Sequence, residues 1–169
     1  VMRQGVEVLA TAGGIVKGTR NNMRDIDVNL SGGATSVEGK ECGNGVLIDH
    51  GKGWTTQYCH LLRESVTVNE GDIVEPGQKI GLVGLSGKTE FPHLHLQVKH
   101  NEQVVDPFVG LGRKKKCGVG EAPLWNTNAL LSMLYEPSAL YSAGFSSTTP
   151  NKRIAREGLY GGEILFKKS

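Results

Sequence analysis

Residues 91–98 read Phe-Pro-His-Leu-His-Leu-Gln-Val. The run is mostly apolar, has no internal glycine, and carries its proline near the start, where a missing backbone N–H is tolerated, so it predicts a β-strand. Side chains alternate between the two faces of a strand, which places His93 and His95 on one face and Leu94 and Leu96 on the other. Two imidazoles on one face can converge on a single metal ion or substrate atom. A short motif is a hypothesis until its context supports it, so two solvated histidines are the alternative interpretation.

The composition is that of an ordinary globular protein. The chain has 169 residues, a formal net charge of +2 and 38% hydrophobic residues, which suffices for one domain with a buried core. The basic run at 114–116 has no interleaved aromatic residues, so it predicts a solvated loop and no nucleic-acid partner. No apolar run approaches the roughly 20 residues that a membrane-spanning helix needs, and we predict no transmembrane segment in this chain. The oligomeric state stays open.

The distribution of glycine predicts an all-β fold. The 24 glycines separate short alternating runs, and helical patterns are few, which is typical of strands joined by tight turns. We expect a small antiparallel β domain over residues 1–110, followed over residues 111–169 by an irregular C-terminal extension or the start of a further module. Besides 91–98, the runs with a strand pattern are 5–10, 15–18, 26–30, 45–50, 54–61 and 104–108, and two short strands flank the Pro-Gly turn at 76–77.

Two of the three cysteines lie on a predicted hairpin. None of Cys42, Cys59 and Cys117 is in CxxC spacing, which argues against a structural zinc knuckle. The runs 45–50 and 54–61 surround a short glycine-containing loop and predict a hairpin. If the hairpin is symmetric, Cys42 lies roughly opposite Cys59, close enough for a disulfide. A disulfide, which needs an oxidising compartment, and two separate thiols both stay open.

Five motifs occur in a specific order along the chain. They are GNGVLIDHG at 43–51, TQYCHL at 56–61, VEPGQKIG at 74–81, GLSG at 84–87 and PHLH at 92–95. In order and spacing, over about residues 6–108, they resemble the lysostaphin-type (LytM-like) zinc endopeptidases. The resemblance implies a small antiparallel β domain with an open groove over one sheet. It also implies an enzyme that hydrolyses peptide cross-links of bacterial peptidoglycan, in the periplasm or outside the cell.

The resemblance assigns roles to three histidines. It implies that His95 is a zinc ligand and that His60 and His93 lie beside the metal as catalytic residues. A catalytic zinc has three protein ligands and an open position for water, whose pKa it lowers while it polarises the substrate carbonyl. A neighbouring histidine can then act as acid or base near neutral pH.

The HxxxD motif, which supplies a His and an Asp ligand in the family, is absent from the chain. In the family it precedes the strand that corresponds to residues 6–10. We therefore expect a domain truncated at its N-terminus, which lacks two of three zinc ligands and is inactive by itself if they are essential.

Four further residues are candidates for substrate binding. Tyr58 shares a strand face with His60 if the alternation is strict, which favours the groove over the core. Asn44, Ser86 and Thr89 lie within or beside the histidine motifs. Phe91, together with the tryptophan at position 54, is expected to be a packing residue.

Two other functions remain as alternatives. The first is a non-catalytic relative that binds cell wall or regulates a wall amidase. Degenerate family members lose metal-site histidines, and since this chain keeps His60, His93 and His95, the enzyme is favoured. The second is a biotinyl- or lipoyl-like carrier, because residues 66–84 look like the turns of those domains. Neither Lys79 nor Lys88 has the neighbours of a modified lysine, which argues against a carrier.

Overall fold

The computed structural model describes residues 2–112 and 119–133. The chain divides into two compact units, Val1–Trp125 and Asn126–Ser169. In the second unit the described residues contain one helix, α1 (Thr127–Met133). No helix in the described part of the chain has the length and apolar character of a membrane span.

The first unit is built from antiparallel β-strands, which confirms the predicted all-β class. The described residues form eight strands: β1 (Glu7–Leu9), β2 (Gly14–Arg20), β3 (Asn44–Gly51), β4 (Trp54–Leu61), β5 (Ile73–Val74), β6 (Lys79–Leu82), β7 (His95–His100) and β8 (Gln103–Val105). Six of them form one sheet in the order β5-β2-β3-β4-β7-β8, and β1 pairs with β6 in a second, two-stranded sheet. Short 3-10 helices lie at Met2–Gln4 and Ala34–Val37.

The core forms where apolar residues of both sheets meet. Val8 of β1 and Ile80 of β6 join Val46, Ile48 and Tyr58 of the large sheet in one buried cluster. On the opposite face, Leu47 of β3, Gln57 of β4 and Gln97 of β7 are half-buried. An antiparallel sheet can bury one face and leave the other to solvent, and this open face is the predicted groove.

The hairpin of β3 and β4 and its disulfide are both present. Gly51 pairs with Trp54 across a turn in which Lys52 and Gly53 have positive φ angles of 51° and 80°. Two such residues form the turn that matches the twist of a hairpin. Cys42 and Cys59 are joined by a disulfide, with their Cα atoms 4.7 Å apart.

The histidine strand begins later than predicted. The expected strand was 91–98, whereas β7 begins at His95, which pairs with Cys59 of β4. Beyond this pair β4 bends at His60, whose φ is 63°, so no straight partner strand remains for the residues before His95. His93 therefore lies in a loop, and strand alternation is not what brings it near His95.

The edge strand predicted at 26–30 is also wrong. This segment is a turn: the backbone N–H groups of Leu30 and Ser31 both donate to the carbonyl of Asp27. The Asp27 carboxylate accepts from the N–H of Asn29 at 2.8 Å. An Asp side chain that bonds the backbone two residues later stabilises a turn, which outweighs the alternating pattern here.

The chain just after the predicted domain boundary lies against the β domain. The N–H of Gly120 donates to the carbonyl of Phe108 at 2.9 Å, and that of Leu124 donates to the carbonyl of Pro107 at 2.9 Å. The division near residue 110 stays a prediction.

Candidate active site

Strand β4 carries a bulge where it reaches the site. Cys59 and His60 together lie opposite one residue of β3, Gly45, which is the arrangement of a β-bulge. A Cβ on Gly45 would collide with the carbonyl oxygen of Tyr58 and lie 2.9 Å from the sulfur of Cys42. The bulge therefore leaves room only for a glycine at position 45. It also removes His60 from the regular alternation of β4.

The backbone of His60 is held in an unfavourable conformation. Its φ of 63° lies in the left-handed region, and such a conformation costs a non-glycine residue on the order of 1–3 kcal/mol. Its N–H donates to the carbonyl of Cys42 at 2.8 Å, and its carbonyl accepts from the N–H of Gly84 at 2.9 Å. These bonds tie His60 to two loops outside its own strand.

The side chain of His60 is buried with one ring nitrogen paired. Its Nδ1 lies 2.8 Å from the carbonyl oxygen of Ser86, and because a carbonyl only accepts, Nδ1 carries the proton and Nε2 is the ring's acceptor. Burial lowers the pKa of His60, the bond to Ser86 opposes this, and the charges of His93 and His95 lower the pKa further. The neutral imidazole is therefore the favoured form near neutral pH.

His93 is oriented by the loop that precedes β7. Its Nδ1 lies 2.9 Å from the carbonyl oxygen of Phe91 and 3.3 Å from Oγ1 of Thr89. The Thr89 hydroxyl itself donates to the same carbonyl at 2.9 Å. As in His60, a carbonyl partner requires a proton on Nδ1 and leaves Nε2 as the acceptor. Thr89 is buried, so it supports His93 and, contrary to the predicted substrate contact, does not line the groove.

The structure brings the three predicted histidines together at one end of the open face. The ring of His60 is centred 4.9 Å from that of His93 and 6.0 Å from that of His95. His95 is the first residue of β7 and is exposed. The bulge and the loop before β7 thus achieve the convergence that strand alternation was expected to give.

The described residues do not form a complete metal site by themselves. Among residues 2–112 and 119–133, no group of three or more His, Cys, Asp or Glu side chains is arranged to hold a metal ion. A catalytic zinc takes three protein ligands, so this donor set is incomplete. The exposed imidazole of His95 fits one of the three positions.

Tyr58 is a core residue, which corrects its predicted place in the groove. Its side chain is 0% exposed. Its hydroxyl oxygen accepts from the N–H of Thr11 at 2.8 Å and lies 3.2 Å from Oγ1 of Thr56. The prediction assumed that Tyr58 and His60 share a face, and the bulge between them breaks that alternation.

Asn44 and Ser86 are also sealed from solvent, each 0% exposed. The Asn44 side chain accepts from the N–H of Met23 at 2.7 Å and donates to the carbonyls of Met23 and Leu61 at 2.8 and 3.2 Å. Ser86 Oγ donates to Leu61 at 2.7 Å and accepts from the N–H of Asn44 at 2.8 Å. Contrary to the predicted substrate contacts, these two residues join the loops beneath the histidines.

The open face continues from the histidines as a groove with charged and amide side chains. One cavity of about 320 Å³ is lined by Glu41, Cys42, Gln57, Cys59, His60, Lys88 and His95. Gln57 also lines the next cavity along β4 and β7. Glu41 and Lys88 were not predicted as groove residues, because they lie in loops where the sequence shows no periodic pattern. Gln57 was detectable, since it alternates with Cys59 along a strand.

The prediction that Phe91 is a packing residue is wrong. Its side chain is 64% exposed, and its ring centre lies 4.9 Å from that of His93. It adds an exposed apolar surface beside the site.

Several proteins similar to this chain have names that refer to peptidoglycan or murein. The chain is 39% identical over 64 residues to the peptidoglycan DD-endopeptidase ShyB of Vibrio cholerae, a match that covers 38% of this chain and 15% of ShyB. It is 38% identical over 68 residues to the murein hydrolase activator EnvC of Escherichia coli, covering 40% of this chain and 16% of EnvC. The chain thus spans about one sixth of these relatives.

Among solved structures, a zinc-containing peptidase from Vibrio cholerae is 28% identical, with a TM-score of 0.44, over 60% of this chain and 26% of that one. The sequence matches peptidase family M23 over residues 1–107. This range contains the eight strands that the structure describes and the three histidines. The predicted lysostaphin-type resemblance is therefore confirmed, and the chain belongs to peptidase family M23.

Proposed function

We propose that the chain is the peptidase domain of a zinc-dependent endopeptidase that hydrolyses peptide cross-links of bacterial peptidoglycan. The observation that carries the proposal is the convergence of His60, His93 and His95 at the end of an open groove, with Nδ1 of the first two tied to backbone carbonyls. Family membership and the name of the relative ShyB support the reaction class.

The roles of the histidines follow from how each is held. His60 and His93 are fixed as Nδ1–H tautomers, so each offers Nε2 to a proton. One of them takes a proton from the water that attacks the amide carbon, and the proton then passes to the leaving amine nitrogen. The other donates a hydrogen bond to the carbonyl oxygen as negative charge develops on it, once it is itself protonated.

His95 is proposed as a ligand of one zinc ion. In the family pattern its partners are a His and an Asp, and the described residues contain no group of three ligand side chains. Zinc, where bound, would acidify the attacking water and polarise the substrate carbonyl.

The proposed substrate is an extended peptide of peptidoglycan lying in the groove. Gln57 offers an amide donor and acceptor to the peptide backbone, while Glu41 and Lys88 offer one charge of each sign beside the histidines. These groove residues replace Tyr58, Asn44 and Ser86 as the surface that meets substrate.

The proposed location is the bacterial cell envelope, either the periplasm or the exterior. The Cys42–Cys59 disulfide supports an oxidising compartment. The names of ShyB and EnvC support a place of action at the wall.

Zinc analysis of single variants tests the division of roles. In the full-length protein we expect His95→Ala to abolish zinc binding, measured by elemental analysis after dialysis against a fixed zinc concentration. His60→Ala and His93→Ala are expected to bind as much zinc as the wild type and to lose turnover. Equal zinc loss in all three variants would contradict the assignment.

A second candidate function is a non-catalytic domain that binds cell wall or regulates a wall amidase. The incomplete donor set of the described residues favours it, as does the name of the relative EnvC. Such a domain binds peptidoglycan fragments but leaves their cross-links intact, whatever the zinc concentration.

A further inference from the structure

The disulfide holds the bulge that carries His60 at two points. Cys42 is bonded through its sulfur to Cys59, and its carbonyl accepts the N–H of His60, the next residue, at 2.8 Å. Cys42 thus contacts both residues of the bulge: it is covalently bonded to Cys59 and hydrogen-bonded to His60.

The sheet alone does not fix the carbonyl of Cys42 in this place. β3 begins at Asn44, so Cys42 lies outside the ladder. The intervening Gly43 has a φ of 67°, and its N–H closes a turn with the carbonyl of Lys40 at 2.9 Å. The disulfide keeps the Cα atoms of Cys42 and Cys59 4.7 Å apart and so keeps the carbonyl within reach of His60.

His60 is the residue that needs this support. Its left-handed backbone, with φ of 63°, relaxes to the ordinary region once its restraints are released. That rotation would break the bond from its N–H to Cys42. It would also move its ring away from the carbonyl of Ser86, which fixes the tautomer, and from the ring of His93.

The disulfide is also reachable from solvent through the site. Cys42 and Cys59 line the same cavity of about 320 Å³ as His60 and His95. Cys42 is only partly buried. Cys42 is therefore the end of the disulfide at which we expect a small dithiol to attack.

We propose that the Cys42–Cys59 disulfide is a positioning element of the active site: it holds His60 in its left-handed conformation, and reducing it displaces the imidazole while both sheets remain folded. The proposal deepens the proposed function, since it concerns the same histidine. Its main test does not depend on catalysis.

The test compares the double variant Cys42→Ser/Cys59→Ser with the wild type by NMR of protein with ¹⁵N-labelled histidine. We expect the wild type to show His60 as a single Nδ1–H tautomer with ring contacts to His93. In the variant we expect a mixture of tautomers and loss of those contacts, with the far-ultraviolet circular dichroism of the sheets unchanged. Cys117→Ser is the matched control for loss of a sulfur and should keep the wild-type histidine signals.

Reduction of the wild type provides a second measurement without any substitution. A dithiol such as dithiothreitol supplies two electrons and two protons, which convert the disulfide to two thiols while the reagent closes to its own disulfide. Mass spectrometry after alkylation counts the released thiols. We expect the His60 signals to change in step with that count and to return on reoxidation.

Where turnover on a peptidoglycan peptide is measured, we expect it to fall about 100-fold in the double variant at nearly unchanged KM, since misplacing a catalytic group by about 1 Å has that effect. Wild-type His60 signals in the reduced or substituted protein would overturn the proposal. So would loss of the sheet signal, because the bond would then be a staple of the whole domain. A wild type that never cleaves peptide contradicts the proposed function and leaves the NMR result to stand by itself.

Discussion

At the residue scale, two imidazoles have their tautomer fixed in the same way. Nδ1 of His60 lies against the carbonyl of Ser86, and Nδ1 of His93 lies against that of Phe91, at 2.8 and 2.9 Å. A fixed tautomer removes one source of disorder, because Nε2 is then always the acceptor. The hydroxyl of Thr89 adds a third polar group to this arrangement at His93.

The first prediction concerns Thr89. Thr89→Val keeps the side-chain shape but removes the hydroxyl that contacts both His93 and the Phe91 carbonyl. We expect turnover on cross-linked muropeptides to fall about tenfold, equal to about 1.4 kcal/mol, with zinc content unchanged. Thr67→Val is the matched control, since the exposed Thr67 hydroxyl donates to Lys79 away from the histidines. Equal turnover in the two variants would argue against a positioning role for Thr89.

The second prediction concerns Asn44, whose side chain makes three hydrogen bonds in the interior. Asn44→Ala leaves the N–H and carbonyl of Met23 without these partners, and we expect the free energy of unfolding to fall by about 2–4 kcal/mol. Urea denaturation followed by tryptophan fluorescence measures the change. The exposed Asn29 serves as control, and Asn29→Ala should change stability by less than about 0.5 kcal/mol. A loss in Asn44→Ala as small as in the control would refute the structural role.

At the element scale, the bulge of β4 decides what the site looks like. It removes His60 from the face that Tyr58 occupies and ends the ladder at the pair of Cys59 with His95. The loop before β7 then returns His93 to the same place. A regular hairpin would have put these side chains on faces set by alternation alone.

The third prediction tests the bulge through Gly45. A Cβ there would collide with the carbonyl oxygen of Tyr58 and with Cys42, whereas a Cβ on Gly18 of the neighbouring strand meets nothing within 4 Å. We expect Gly45→Ala to lower the free energy of unfolding by about 1–3 kcal/mol, and Gly18→Ala to leave it nearly unchanged. Thermal denaturation compares the melting temperatures of the two variants. Similar melting temperatures would show that the bulge tolerates a side chain.

The sequence predicted those elements whose signal is local. The hairpin of β3 and β4 has two β-rich runs around a glycine turn. The sequence left the disulfide between Cys42 and Cys59 open; the structure contains it, although Cys42 lies outside the β3 ladder. The false strand at 26–30 alternates like a true one, but the Asp27 side chain caps a turn there. Local alternation does not reveal a competing side-chain bond of this kind.

The candidate site was predictable in its histidines and not in their surroundings. Motif order identified His60, His93 and His95 through the family resemblance. Tyr58 was placed with His60 by period-two alternation, which cannot indicate the bulge that β4 makes against β3. The exposure of Phe91 likewise follows from where the loop before β7 runs.

At the scale of the whole molecule, the domain is a sheet with one face buried and the other available. The two-stranded sheet covers the core face, and the disulfide, the histidines and the amide and charged side chains lie on the open face. The proposed reaction requires a peptide that can extend along β4 and β7.

The measurement that tests the central claim most directly is the fate of peptide cross-links. Purified dimeric muropeptides are incubated with zinc and the full-length protein, and the products are identified by mass spectrometry, with a chelator and His93→Ala as parallel controls. We predict that wild-type protein with zinc and without chelator converts dimers to monomers, with one water added per cross-link. The chelator and the His93→Ala variant are each expected to prevent this conversion. Intact dimers in the presence of wild-type protein shown to bind both zinc and the muropeptide would contradict the claim and favour the non-catalytic alternative.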